Sequence, residues 1–210
     1  GLVAIVGALD LEPGDEIIVT PWSMCATSTA ILHWNCIPVF ADIDKNTFNI
    51  DPEEVQKKIT SRTKAIMVAD IFGYPCDIDA LKKIVRGKNI KIITDSAQSP
   101  FSKYKGKITG TLSDIGGFSL NYHKIINTGE GGIVVTNNAK LAERVRLIRN
   151  HAEAKINSKD KKKLSNMIGH NFRLGEIEAS IGLEQYKKLK KILSYRTKFI
   201  NLLIKNLSNL

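Results

Sequence analysis

Short apolar runs alternate with helix-like stretches through the first hundred residues. Gly1 to Leu9 predicts a helix already under way, without the Ser, Thr, Asp or Asn that normally starts one. Glu12-Pro13-Gly14-Asp15 reads as a turn. Glu16 to Thr20, Ile37 to Ala41, Lys64 to Ala69 and Lys91 to Thr94 read as short strands. Between them, Cys25 to Trp34 predicts a small-residue helix. Asp51-Pro52-Glu53-Glu54 starts another, with Asp as cap and Pro at the first helical position. Asp77 to Arg86 predicts a third, closed by Gly87. This alternation predicts an α/β fold with a mainly parallel central sheet and helices on both faces, because near-continuous apolar strands are those covered on both sides. Ligands collect beyond the carboxyl ends of such strands. Chemistry is therefore expected just after Thr20, Ala69 and Thr94, at Trp22, Asp70 and Asp95.

The second half reads differently. Ile115 to Leu120 and Ile133 to Thr136 predict strands that pair, separated by His123-Lys124 and the turn Thr128-Gly129-Glu130-Gly131-Gly132. Leu141 to Arg149 predicts a helix, Lys155 to Lys163 a polar, lysine-rich loop. Leu174 to Leu193 predicts a long helix with Leu174, Ile177, Ile181, Leu189 and Ile192 near one face. The pattern of Phe199 to Leu210 has no stop signal, so both ends read as those of a fragment.

Composition narrows the class. With 43% hydrophobic and 25% charged residues, the chain is neither disordered nor fibrous. No stretch approaches the roughly 20 apolar residues of a membrane span, and no signal peptide is visible. Cys25, Cys36 and Cys76 fit neither a disulfide framework nor a zinc pattern, and agree with a reducing cytoplasm. The net charge of +10 is uneven: residues 1–100 carry 10 Lys/Arg against 13 Asp/Glu, residues 101–210 carry 21 against 8. A basic half suits an anionic partner or a solvated surface. The interleaved aromatics of a single-strand nucleic-acid surface are missing, which argues against a nucleic-acid partner.

Three features carry chemistry: Asp95-Ser96-Ala97-Gln98 after a strand, Ser119 five residues before Lys124, and the glycine-rich turn after that lysine. Taken singly, they read as a helix cap, a surface lysine and a hairpin. In this order they resemble the DegT/DnrJ/EryC1/StrS family of pyridoxal-phosphate-dependent sugar aminotransferases, of aminotransferase fold type I. Pro13 to Glu16, Thr20 to Trp22, Pro38 to Asp44, Thr63 to Ile66, Gly110 to Ser119 and Gly169 to Arg173 extend the likeness along nearly the whole chain.

The resemblance implies a cofactor, pyridoxal 5'-phosphate, carried on Lys124 as the catalytic lysine. It implies Asp95 opposite the pyridinium nitrogen, where a carboxylate keeps the ring protonated and electron-withdrawing. Gln98 would reach the ring's phenolic oxygen if the Asp95 segment begins a helix. Ser119 resembles a phosphate ligand. Trp22 stands where the family carries an aromatic stacked on the ring, or is a core Trp after a proline turn. Asn171 matches a residue reaching the neighbouring subunit's phosphate, or caps the following helix. The turn Gly129 to Gly132 reads as structural support for Lys124, its glycines permitting positive φ and close approach. In some relatives a histidine replaces the lysine and dehydration results; here the spacing falls on Lys124, with His123 beside it.

The family thus implies amino transfer from glutamate or glutamine to a nucleotide-linked ketosugar in polysaccharide biosynthesis, by a cytoplasmic homodimer with shared active sites. The rivals are a pyridoxal-dependent sugar dehydratase and a non-catalytic binding protein on the same scaffold. Residues 1–195 would form the cofactor-binding large domain, and residues 196–210 the connection to a small C-terminal domain. The family's N-terminal phosphate-binding turn would precede Gly1.

Overall fold

A computed structural model of the protein describes residues 1–153 and 167–208. The lysine-rich loop expected from Lys155 to Lys163 lies outside the described residues. Contacts divide the chain into two compact units, Gly1–Ser119 with Gly132–Arg173, and Leu120–Gly131 with Leu174–Leu210.

The first unit is built on strand alternation. Its sheet holds β1 (Glu16–Val19), β2 (Ile37–Phe40), β3 (Thr63–Ala69), β4 (Lys91–Asp95), β7 (Ile115–Ser119) and β8 (Gly132–Val135), in the order β2-β1-β3-β4-β7-β8. Every pairing is parallel except β7 with β8, as the paired strands around the glycine-rich turn require. Between β4 and β7 a small hairpin, β5 (Lys103–Tyr104) and β6 (Lys107–Ile108), turns through Lys105-Gly106. The sequence reading did not anticipate it, since two-residue strands have no periodicity to read.

Successive residues of each strand point to opposite faces. Ile17, Val19, Ala65, Met67 and Ile93 pack with α1 (Leu2–Ala8), α2 (Ala26–Leu32) and α5 (Ala139–Arg149) through Ile5, Ile31, Leu141 and Ile148. Ile18, Ile66, Val68 and Ile92 pack with α3 (Pro52–Lys58) and α4 (Ile78–Val85) through Val55, Ile78 and Leu81. Each fully buried Val, Leu or Ile contributes about 1.5–3 kcal/mol, so the two apolar layers hold helices on both faces, as the alternation predicts. The predicted caps are present: Asp51 accepts from Glu53 N–H at 2.8 Å and Asp77 from Ala80 N–H at 3.0 Å.

Close packing along β7 depends on a missing side chain. A Cβ on Gly116 would overlap the Gly110 carbonyl and stand 2.7 Å from Thr94 Oγ1.

In the second unit, residues 120–131 form a loop closed at its base. Leu120 N–H donates to Gly131 O and Thr128 N–H to Leu120 O, both at 2.9 Å. The loop packs on α6 (Glu176–Leu207), where Gly182 lets Thr128 approach. That helix begins later and ends fourteen residues beyond the predicted stop, because no Gly or Pro follows Leu193 before Leu207 to break it. The domain boundary expected after residue 195 falls inside it. Of the predicted apolar face only Leu189 is buried; Ile177 and Ile181 are exposed. Among the described residues, no helix is long and apolar enough to cross a membrane.

Candidate active site

Asp95 and Ser119, two of the site residues expected from the sequence, lie at strand ends of the first unit. Asp95 is the last residue of β4 and is buried. Thr27 of α2 donates its hydroxyl to Asp95 Oδ2 at 2.9 Å, and Ala97 N–H donates to Oδ1 at 3.1 Å. Ser23 Oγ lies 2.8 Å from Thr27 Oγ1 and extends the chain of hydroxyls. Two donors from different segments therefore set the plane of the carboxylate. Thr27 was not among the expected site residues. Its only sequence signal is a hydroxyl in the first turn of a helix that starts beside a strand end.

Ser119 closes β7, the strand next to β4. Asp95 pairs with Gly117, and Ser96 N–H donates to Gly117 O at 2.8 Å. Ser119 is thus two residues, about 7 Å, farther along the neighbouring strand, half-buried. A carboxylate in a fixed plane with a hydroxyl on the adjacent strand end suits a cationic ring nitrogen and an anionic group on one molecule. That is the donor set a phosphorylated pyridine asks for.

The Asp95 segment does not begin a helix, the condition on which Gln98 would share its face. Residues 96–102 turn instead, with Ser99 N–H to Ser96 O and Ser102 N–H to Ser99 O at 3.1 Å. Pro100 disfavours the helical region for Ser99, and serine hydroxyls compete for backbone groups. Gln98 is exposed, and its Oε1 accepts from Phe72 N–H at 3.0 Å. Phe72 sits at φ +54°, a left-handed conformation costing a bulky residue about 1–3 kcal/mol. The Gln98 bond helps hold that backbone in place.

Trp22 is half exposed, its ring centroid 6.1 Å from that of Phe48, which lies 6.4 Å from Phe72. Three aromatics from the loops after β1, β2 and β3 thus form a row, and Trp22 is not a core residue. Asn171 is exposed and bridges to Asn150 in antiparallel fashion. It does not cap the following helix, whose N-cap is Gly175.

Lys124 belongs to the second unit. It is half-buried in the loop 120–131, and its N–H donates to Asn121 O at 2.9 Å. Asn121 Nδ2 donates to Glu130 Oε1 at 2.6 Å, and Thr128 Oγ1 to Glu130 O at 2.7 Å, cross-bracing the loop that carries the lysine. His123 is exposed and its ring lies edge-on to Tyr122. Of the three glycines after the lysine, Gly129 alone has positive φ (+83°); Gly131 and Gly132 provide close approach to Thr128 and to Phe118 O.

Known proteins share this architecture. The chain is 35% identical over 203 residues to GDP-perosamine synthase of Escherichia coli O157:H7, covering 97% of this chain and 55% of that protein. It is 41% identical over 182 residues to the dTDP-3-amino-3,6-dideoxy-alpha-D-galactopyranose transaminase of Aneurinibacillus thermoaerophilus, covering 86% of this chain and 48% of that protein. The chain thus spans about half the length of the curated relatives it matches. Among solved structures, the E. coli GDP-4-keto-6-deoxy-D-mannose-3-dehydratase with bound hydrated PLP superposes with a TM-score of 0.86 at 30% identity, covering 99% of this chain and 58% of that one. At this identity the likeness extends beyond fold to descent, and the fold is that of the type I pyridoxal-phosphate enzymes. The description of one family matches residues 1–210 throughout, and the chain belongs to it: the DegT/DnrJ/EryC1/StrS aminotransferase family.

Proposed function

We propose that the protein acts as a pyridoxal-phosphate-dependent aminotransferase, moving an amino group from glutamate or glutamine to the keto carbon of a nucleotide-linked sugar. The observation that carries this reading is the buried Asp95 carboxylate, held in a fixed plane at a strand end by Thr27 and Ala97. When bound, the cofactor supplies an aldehyde for amines and a ring that absorbs electrons. Lys124 would hold the cofactor's aldehyde carbon through its ε-amine, and when free would serve as the base that carries a proton to and from the substrate carbon. Asp95 would keep the ring nitrogen protonated, and Ser119 would donate to the phosphate. Gln98 would border the ring's phenolic oxygen, and the half-exposed indole of Trp22 would stack on the ring.

Asn171, exposed and released from capping, supports a homodimer in which it reaches the partner's cofactor. The names of the relatives above support a nucleotide-sugar acceptor. Three free cysteines support a cytoplasmic location. A dehydratase reading draws on the E. coli structural relative, but the lysine at position 124 favours transamination over it.

Borohydride reduction of the protein loaded with pyridoxal 5'-phosphate, followed by peptide mapping, tests the reading. The cofactor should be fixed to Lys124 and lost in Lys124→Ala. Labelling elsewhere, or none, overturns it. In a separate, unreduced sample, glutamate should convert the visible cofactor band to the amine form's band, and the donor's nitrogen should then appear in a nucleotide ketosugar by mass spectrometry; a sugar that loses water and gains no nitrogen would mark a dehydratase instead.

A further inference from the structure

A second carboxylate stands at the end of the strand beside Asp95. Asp70 follows β3, is 1% exposed, and donates its N–H to Asp95 O at 3.0 Å. Its side chain turns into a nest of neutral donors. Oδ1 accepts from Cys76 N–H at 3.0 Å. Oδ2 accepts from Ser96 Oγ at 2.6 Å and from Ser99 Oγ at 3.3 Å. Ser99 also lies 3.3 Å from Thr109 Oγ1, which itself donates to Ser99 O at 3.2 Å. Ser96, Ser99 and Thr109 are all buried.

A buried carboxylate held by neutral donors is costly to keep for stability alone; an apolar replacement of similar shape often stabilises. Position explains its presence. Ser96 directly follows Asp95, and the next residue, Ala97, supplies the N–H that orients Asp95 Oδ1. Rotating the peptide between Ser96 and Ala97 would swing that N–H away. The short Ser96–Asp70 bond pins one end of this peptide. On the far side of the same turn, Gln98 ties back to Phe72, two residues after Asp70. The turn after β4 is therefore stitched to the segment after β3 at two points, with Asp70 as the buried one.

We infer that Asp70 is a positioning residue: through Ser96 it holds the turn that orients the Asp95 carboxylate toward the cofactor's ring. This rests on the proposed role of Asp95, and the test separates the two. Pyridoxal 5'-phosphate is titrated into the wild-type protein, Ser96→Ala, Asp70→Asn, and the control Leu81→Ala, which empties a fully buried site in the α3–α4 core layer. Three quantities are read: cofactor affinity, the pH at which the bound cofactor's visible band changes, and the melting temperature of the cofactor-free protein.

Ser96→Ala should weaken cofactor binding at least tenfold and move the band's transition pH by half a unit or more. Asp70→Asn can still accept from Cys76 N–H and, as Nδ2 donor, let the Ser96 hydroxyl rotate to accept, so it should weaken binding less. Leu81→Ala should melt lower yet keep both cofactor properties. If Ser96→Ala binds within twofold of wild type with an unmoved transition, while melting lower, Asp70 only supports the fold and the inference falls. Because Ser96→Ala removes a single oxygen, it decides the matter even if Asp70→Asn does not fold. If the wild-type protein binds no cofactor, the role of Asp95 fails and this inference fails with it.

Discussion

Thr27→Val isolates the bond that fixes Asp95. Valine keeps the shape of threonine and exchanges the hydroxyl for a methyl, so the buried volume is preserved. What disappears is the 2.9 Å bond to Asp95 Oδ2, together with the 2.8 Å contact to Ser23. Thr27 is fully buried, so water cannot replace the lost donor without opening α2. A hydrogen bond to a carboxylate contributes about 1.5–3 kcal/mol. Taking about 2 kcal/mol, and about 2–4 °C per kcal/mol for a domain of this size, the melting temperature should fall by about 4–8 °C. Cofactor affinity should fall by about tenfold or more, since 1.4 kcal/mol is a factor of ten. Differential scanning calorimetry reads the first and an absorbance titration the second. A variant that melts within 1 °C of wild type and binds cofactor equally well would refute the claim that Thr27 orients this carboxylate.

Two further outcomes concern the scaffold. Glu16 is buried at the start of β1, where bonds from the Thr60 hydroxyl and then the Arg62 guanidinium hold its carboxyl below the usual range despite burial. A lowered folded-state value means that the unfolded chain binds the proton first, so the stabilisation is complete above about pH 4.3 and vanishes as pH falls through the folded-state value. Urea unfolding should therefore show Glu16→Gln less stable than wild type at pH 7 and the gap narrowing as pH falls below about 4.3; a gap independent of pH would contradict the assignment. Gly116→Ala should cost about 1–3 kcal/mol by overpacking, seen as a lower urea midpoint with unchanged slope, because the new methyl meets the Gly110 carbonyl and Thr94 Oγ1.

What sequence patterning made legible follows from local physics. Alternating apolar strands and capped helices reveal a parallel α/β sheet because burial on both faces leaves the middle of β1, β3 and β4 apolar. Asp51 and Asp77 are legible as caps because a cap needs only its own backbone. The positions of Asp95 and Ser119 at strand ends could be read by the same route, since a strand's length is visible in its apolar run. The stop of α6 could not be read, because no Gly or Pro breaks the pattern between Leu193 and Leu207.

The partners of those side chains belong to another level. Thr27 and Asp95 are 68 residues apart, and Asp70 and Ser96 are 26 apart; nothing local connects either pair. Parallel strand order brings them together, because β3 and β4 are neighbours and α2 sets Thr27 against the end of β4. The turn at Ser96 to Ser99 replaces the expected helix for the same reason: buried hydroxyls satisfied by Asp70 outweigh the helical preference of one short segment. Order and type of elements thus came from the chain's own pattern, while the direction each carboxylate faces was decided by contacts between segments that only the folded sheet makes adjacent.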